Sequence, residues 1–443
     1  MNRIPAYSII LVLLAYAVCW PTIINIPADY PTIQQGIDAS ADGDTVLVQP
    51  GTYYENINFN GHNIVLGSLF LTTGDTSYIS QTVIDAQGHL IVVTFNSSEN
   101  ETTAIIGFLV IGGFSYSGPG AGIACLNASN PVIKNNIIGN NTTGFGGVGG
   151  GIYCESSNPK VIGNIIAYNS GDIYGGGIYL SSSNALIQNN LIFRNITTLK
   201  AGGIGMANGN PVLYNNIITE NIALDGTGIW FYNTNASIRN SIIWNDSSYS
   251  DGSEIEIYGD APSIEFCNIQ DTLWPGAGNI SINPLFRDPD NGDFHLMSIA
   301  CGDSADSPCI DAGDPNILDS LLNCSWGLGD LRSDMGAYGG GDSLITGIGD
   351  APSPLPKKFL LLQNYPNPFN ATTTVKYALA DAGPVRIDIY DLLGRLVETL
   401  VDEEKQAGQH QAVWDASGYS SGIYFYRLEA GNFTQTRKMI LLK

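Results

Sequence analysis

The feature that most constrains this chain is a pattern that returns between residues 121 and 257 at a nearly constant interval. Gly-Gly-Ile followed by a strand-forming position stands at Gly150-Gly151-Ile152-Tyr153, Gly176-Gly177-Ile178-Tyr179 and Gly202-Gly203-Ile204-Gly205, with degenerate copies at Ala121-Gly122-Ile123-Ala124 and Thr227-Gly228-Ile229-Trp230. With the Ile as register mark, positions 123, 152, 178, 204, 229 and 255 lie 29, 26, 26, 25 and 26 residues apart. Such a repeat reads as a solenoid, in which each unit buries its apolar side chains against its neighbours.

A second apolar strand follows nine residues after each Ile, and two rows of Asn keep step with it. Asn136, Asn164, Asn190 and Asn216 form one row, continued by Ser241 and Cys267; Asn141, Asn169, Asn195 and Asn221 form the other. An amide side chain can hydrogen-bond to its counterparts in the coils above and below, and Asn tolerates the left-handed backbone of a tight bend, so Asn ladders are expected at the turns. The segments between are short and β-branched, as in Val132-Ile133, Ile217-Ile218 and Ile242-Ile243, with no helical apolar period. One repeat is therefore one coil of about three short strands, stacked at about 4.8 Å into parallel sheets.

This pattern, and above all the Asn130 to Ile138 and Asn210 to Ile218 strands, resembles the right-handed parallel β-helix proteins. The resemblance implies an all-β chain with a right-handed parallel β-helix solenoid over residues 21–341. It selects no activity, because the same coil carries lyases, esterases, hydrolases and adhesins. The block from Ile26 through Thr32, Ile33 and Ile37 to Gly51-Thr52-Tyr53 resembles the amino-terminal cap of pectin methylesterases and of other β-helix proteins. Thr32 is the expected N-cap of a short helix with Ile33 and Ile37 on one face, laid over the open first coil. Asp75 to Ser80 and Ser97 to Thr103 read as loops.

Residues 1–20 read as a signal peptide, with Arg3 as the positive end, Ile9 to Val18 as the apolar run and Ala15-Tyr16-Ala17 as the cleavage motif. Cleavage after Cys19 competes, and Val18 argues against lipid attachment there. The run is too short to span a membrane and nothing later replaces it, so an exported, soluble mature chain without a membrane span is expected. The net charge is −23; from Leu355 onward the chain has 10 Lys+Arg and 9 Asp+Glu, which leaves 8 and 32 for the first 354 residues. An acidic solenoid of this kind repels nucleic acid and anionic membranes.

Asp342 to Lys358 reads as a linker, and residues 359–443 as a small antiparallel β-sandwich with strands at Thr374 to Leu379, Val385 to Tyr390, Gln411 to Trp414 and Gly422 to Leu428. The run Leu361 to Asn370, then Tyr390-Asp391-Leu392-Leu393-Gly394-Arg395, Trp414-Asp415 and Ser421-Gly422-Ile423-Tyr424 resemble the immunoglobulin-like carboxy-terminal sorting domain of type IX secretion cargo. That family implies recognition of residues 359–443 by outer-membrane secretion machinery, then release or surface attachment; Ala371 stands where the family often has Pro.

Chemistry is sparse. Gln270-Asp271-Thr272-Leu273 matches the tetrapeptide that carries an acid Asp in pectin methylesterases, but the second carboxylate and nearby Arg of that class are missing, so Asp271 reads as a turn residue. A polysaccharide lyase on this fold needs a Lys or Arg base, commonly with Ca²⁺; Lys134, Lys160, Arg194, Lys200, Arg239, Arg287 and Arg332 occupy scattered register positions. Glu155, Asp172, Glu220 and Asp225 are the acids that a hydrolytic pair would draw on. The residue after each register Ile should point outward, and that row carries Tyr153, Tyr179 and Trp230, with Tyr232 on the same side: rings that could stack on a polysaccharide or cell-surface glycan. Aromatic residues are also favoured on β-surfaces for packing alone. Asp288, Asp290 and Asp293, with Asn291, form an acidic loop whose composition suits Ca²⁺ or plain turn chemistry. Cys125 and Cys154 occupy equivalent places in adjacent coils, as a disulfide or as stacked thiols, and one pair among Cys301, Cys309 and Cys324 is expected to be bridged. The expected function is a secreted or cell-surface β-helix that binds glycan or adheres, with a carbohydrate-active enzyme as the alternative.

Overall fold

The computed structural model describes residues 21–339 and 359–442, apart from 117, 249–251, 271–272, 320–321, 323, 325–327, 362–363, 365–366, 368 and 406–407. The expected signal peptide, the 342–358 linker and Asp271 lie outside the described residues. The fold is all-β, a parallel solenoid of about nine turns followed by antiparallel sheets at the C-terminus. Two compact units divide the chain: one runs to Val212 and adds Ile218–Ala236 and Asn245–Pro262, and the other comprises Leu213–Ile217, Ser237–Trp244 and everything from Ser263.

In the first unit one coil consists of the strands Ile152–Glu155, Lys160–Ile162, Ile165–Ala167 and Ser170–Gly171. The register Ile residues stack as expected: Ile123 on Ile152, Ile152 on Ile178, Ile178 on Ile204, Ile204 on Ile229 and Ile229 on Ile255. All are fully or almost fully buried. The coil has four strands rather than about three. The fourth, two residues long at Thr142–Thr143, Ser170–Gly171, Ile196–Thr197 and Ile222–Ala223, is too short to show an alternating pattern in sequence.

Both Asn rows form ladders. In the row at 141, Asn141 Nδ2 donates to Asn169 Oδ1 at 3.0 Å, Asn169 to Asn195 at 3.0 Å and Asn195 to Asn221 at 3.0 Å. Each amide also donates its other proton to a strand carbonyl of the preceding coil, such as Ile138 O for Asn169 at 2.9 Å, while its Oδ1 accepts the backbone N–H of the preceding Asn. Every donor and acceptor of a fully buried amide is thereby used. The left-handed residue of each bend, however, is the one before the ladder Asn: Asn140 (φ 53°), Tyr168 (58°), Arg194 (51°) and Glu220 (55°). Reversing the chain and bonding between coils fall to adjacent residues, because a side chain aimed into the ladder must keep its own N–H free to donate to the next coil. The row ends in acids, which accept without needing to donate: Asn221 Nδ2 donates to Asp246 Oδ1 at 2.8 Å, and Asp246 N to Glu254 Oε1 at 3.0 Å. Burial pushes the Asp246 carboxyl up to about 6. A third column, unnoticed in the sequence, lies at the surface and runs with opposite polarity: Asn158 N donates to Asn130 Oδ1 at 2.7 Å, Asn184 N to Asn158 at 2.7 Å and Asn210 N to Asn184 at 2.8 Å.

The amino-terminal cap follows expectation, with Thr32 Oγ1 accepting from Gln35 N at 3.2 Å and Ile33 and Ile37 buried in the helix Ile33–Ala39. Glu55 adds a second cap, its two carboxylate oxygens taking Ile33 N at 2.8 Å and Gln34 N at 2.9 Å. Ser77–Gln81 is a short helix rather than open loop. Cys125 and Cys154 are registered neighbours and free thiols; burial raises the Cys125 thiol, which keeps it protonated as core packing.

In the second unit Cys301 is bridged to Cys324, and Cys309 is a buried free thiol pushed up to about 12 by burial. Asp334 is buried among acids: its Oδ1 takes Asp311 N at 2.7 Å, its Oδ2 takes Leu328 N at 2.7 Å, and its own N–H donates to Asp319 Oδ2 at 3.2 Å. Burial first, and the Asp319 charge second, push Asp334 up to about 8. The antiparallel part comprises one sheet of Leu360–Leu361, Thr372–Leu379 and Gly408–Asp415 and another of Leu396–Lys405, Gly383–Asp391, Gly422–Ala430 and Phe433–Leu441. Their inner faces share a core that includes Val375, Tyr377, Ile387, Ile389, Trp414, Tyr426, Leu428 and Met439. Ala371 has φ 65°, which proline, fixed near −65°, cannot adopt, so the missing proline has a backbone reason.

Two outcomes follow. Asn169→Ala strips partners from two buried donors of Asn141 and should cost at least ~2 kcal/mol, read as a lower urea midpoint, whereas Asn184→Ala at the surface column should cost under ~1 kcal/mol. The Asp334 pKa lies above its unfolded value, so the unfolded chain releases this proton first as pH rises; stability should fall between about pH 4 and pH 8. Melting temperature against pH should show that fall, and Asp334→Asn should flatten it; an unchanged slope would remove Asp334 as its source.

Candidate functional site

The outer face of the sheet that carries the register Ile gathers aromatic and charged side chains of the first unit. Tyr153 pairs in register with Tyr179, Tyr179 with Gly205, Gly205 with Trp230 and Trp230 with Glu256, so the row predicted from sequence lies along consecutive coils. Tyr232 and Tyr258 form the next outward column and are registered with each other.

The rings stack on one another. Centroids are 6.0 Å apart for Tyr153 and Tyr179, 5.5 Å for Tyr179 and Tyr174, 5.0 Å for Tyr174 and Trp230, and 5.8 Å for Trp230 and Tyr232, with interplanar angles of 20°, 15°, 11° and 16°. This spends most of the ring faces: Tyr153 is 6% exposed and Trp230 5%, while Tyr232 and Tyr258 are each 44% exposed. The gap at Gly205 is part of the device, since a Cβ there would come within 2.8 Å of the Tyr179 ring. Tyr174, the central ring, was not singled out in the sequence. It belongs to a column four residues before each register Ile, Val148, Tyr174, Lys200 and Asp225, linked by single parallel bridges; following that register position down the repeat would have found it.

Lys200, from the same column, supplies the charge. Its Nζ donates to Asp225 Oδ2 at 2.9 Å, to Glu256 Oε2 at 2.9 Å and to Tyr258 Oη at 3.1 Å, and lies 4.8 Å from the Tyr258 ring centroid. Burial pulls its pKa down, but the bonds to Glu256, Asp225 and Tyr258 outweigh it and the ammonium is held more firmly than usual. A lysine so held is a poor general base. The arrangement offers two exposed phenol rings beside a fixed ammonium and two carboxylates, a surface for stacking and directed hydrogen bonds.

The other candidates disperse. Asp288 accepts from Asn291 Nδ2 at 2.7 Å, and Asp293 bonds His295 Nδ1 at 2.5 Å. Asp290 lies on the intervening turn Pro289–Asn291, and no group of three or more metal-ligating side chains is gathered among the described residues. Among the acids, Glu220 pairs with Arg194 at 2.6 Å, Asp225 with Lys200 at 2.9 Å, and Asp172 Oδ2 takes Gly146 N at 2.7 Å, each reaching to the preceding coil. Arg239 pairs with Glu265 at 2.9 Å and Asp314 at 3.0 Å, and Arg287 with Asp303 at 3.1 Å, so both guanidiniums are already engaged by carboxylates of the chain.

Two family models match the chain: the right handed beta helix region over residues 68–243, and the secretion system C-terminal sorting domain over residues 363–442. No curated protein and no solved structure matches it. The sorting domain places the protein outside the cell, secreted or at the cell surface, and no helix among the described residues is long and apolar enough to cross a membrane.

Proposed function

For a β-helix protein exported through a type IX sorting tail, we propose a glycan-binding or adhesive role, with the outer aromatic strip as the contact surface. The observation that carries this reading is the exposed Tyr232 and Tyr258 pair on adjacent coils, set beside Lys200, Asp225 and Glu256. A pyranose can lay its apolar face on a phenol ring while its hydroxyls meet the flanking charges. In this reading Tyr153, Tyr179, Tyr174 and Trp230 support the platform by packing, and Tyr232 and Tyr258 touch the sugar. Two carboxylates around one ammonium favour a neutral glycan over a uronate.

Binding rather than catalysis is supported by the firmly protonated Lys200, whose ammonium is shared by Asp225 and Glu256 and so is engaged by both carboxylates. The test is affinity electrophoresis of the purified protein in gels that contain neutral or uronate-bearing polysaccharides. Tyr232→Ala/Tyr258→Ala should abolish retardation by a neutral glycan without moving the melting temperature by more than a few degrees. Retardation equal to the parent protein would remove these rings from the contact, and release of reducing ends or unsaturated sugar would replace binding with enzymatic turnover.

A further inference from the structure

The sorting domain carries an apolar feature that its own fold does not use. At the tip between the strands Gly383–Asp391 and Leu396–Lys405, Leu392 is 68% exposed, Leu393 77% and Leu396 54%. Other strongly exposed apolar residues described in this domain, Val413 and Leu442, stand apart in sequence from this group and from each other. Single exposed apolar residues are ordinary, but adjacent leucines at a strand-to-strand turn are not, since Asn, Asp and Gly form such turns without presenting oil to water.

The turn is also held unusually firmly. Asp391 Oδ1 accepts Leu393 N at 2.9 Å and Arg395 N at 2.9 Å, and Asp391 Oδ2 accepts Arg395 Nε at 2.7 Å and pairs with Nη2 at 2.7 Å. Asp391 N donates to Arg395 O at 3.0 Å and Gly394 N to Asp391 O at 3.0 Å, with Gly394 left-handed at φ 74°. Asp391, Gly394 and Arg395 thus form a clamp that presents the two leucines in one conformation, which lowers the ordering cost of inserting them into a partner. Arg395 remains 76% exposed beside them.

We propose that the Asp391–Arg395 turn is the docking element by which this sorting domain is recognised: Leu392 and Leu393 enter an apolar socket on the export machinery, and the free N–H directions of Arg395 meet oxygen acceptors on the socket's rim. The proposal rests on the sorting role of residues 363–442; what the structure adds is the part of that domain which makes the contact. The occupant is the export machinery because a domain matched as a sorting signal must present a recognition surface, and this is the most exposed contiguous apolar one among its described residues.

The experiment expresses the full chain in a bacterium with a type IX system and measures the fraction that reaches the medium or cell surface against the periplasm. Leu392→Ser/Leu393→Ser should lower the exported fraction by about tenfold or more, with the melting temperature of the protein recovered from the periplasm unchanged. Leu392→Met/Leu393→Met and Val413→Ser should export normally. Should the double variant lose its melting transition, Leu393→Ser alone, at the more exposed position, carries the same expectation of reduced export. Normal export of the folded serine variant, or equal retention of Val413→Ser, would overturn the docking turn. So would a wild-type dimer in light scattering that the serine variant dissociates while export continues, which would make a second copy the occupant. Deletion of residues 355–443 separates the two levels: export of the deleted chain would refute the sorting role itself, whereas its retention alongside export of the serine variant would refute the docking turn alone.

Discussion

The interaction on which the solenoid depends is the hydrogen bond from one buried asparagine amide to the next along the stack. A coil of this fold turns four times in about 26 residues, and each turn takes backbone groups out of water. The Asn ladders answer that cost, since each amide donates to the next coil and to a carbonyl of the preceding one while accepting twice. A ladder of this kind has a direction. Its last member needs acceptors only, and the chain places Asp246 and Glu254 there.

With the interior committed to repetition, chemical individuality moves to the outside of one sheet and to the corner column beside it. There the stacked rings and the Lys200 cluster are built from residues of several coils that are distant in sequence and close only because the coils are in register. Most of the aromatic surface is spent on internal stacking, and what remains accessible lies at Tyr232 and Tyr258. The same logic separates scaffold from contact in the sorting domain, where Asp391 is spent in shaping a turn and the leucines that follow it are left to meet something else.

The register, the ladder positions, the helical cap and the two-part architecture were legible in the sequence because each rests on a local or strictly periodic signal. The fourth strand was not, because two residues cannot show a period. Nor were the left-handed residues: Tyr168, Arg194 and Glu220 occupy bends that composition alone assigns to Asn or Gly, and they do so because the ladder claims the Asn beside them. In the acidic loop at 288 to 293 composition did not specify the pairings, Asp288 with Asn291 and Asp293 with His295, because each depends on the local bend.

By itself the sequence determined that the chain stacks coils of about 26 residues, since Ile, Asn and Gly return to the same positions in each repeat, while the sorting domain was legible through the resemblance of its motifs. Only the tertiary structure decided which aromatic rings face water, because that depends on the Tyr179 ring lying against Gly205 and on Tyr174 stacking between Tyr179 and Trp230, the latter two coils away. Only it showed that Leu392 and Leu393 stand exposed on a clamped turn, since exposure is a property of what packs nearby and no spacing encodes it.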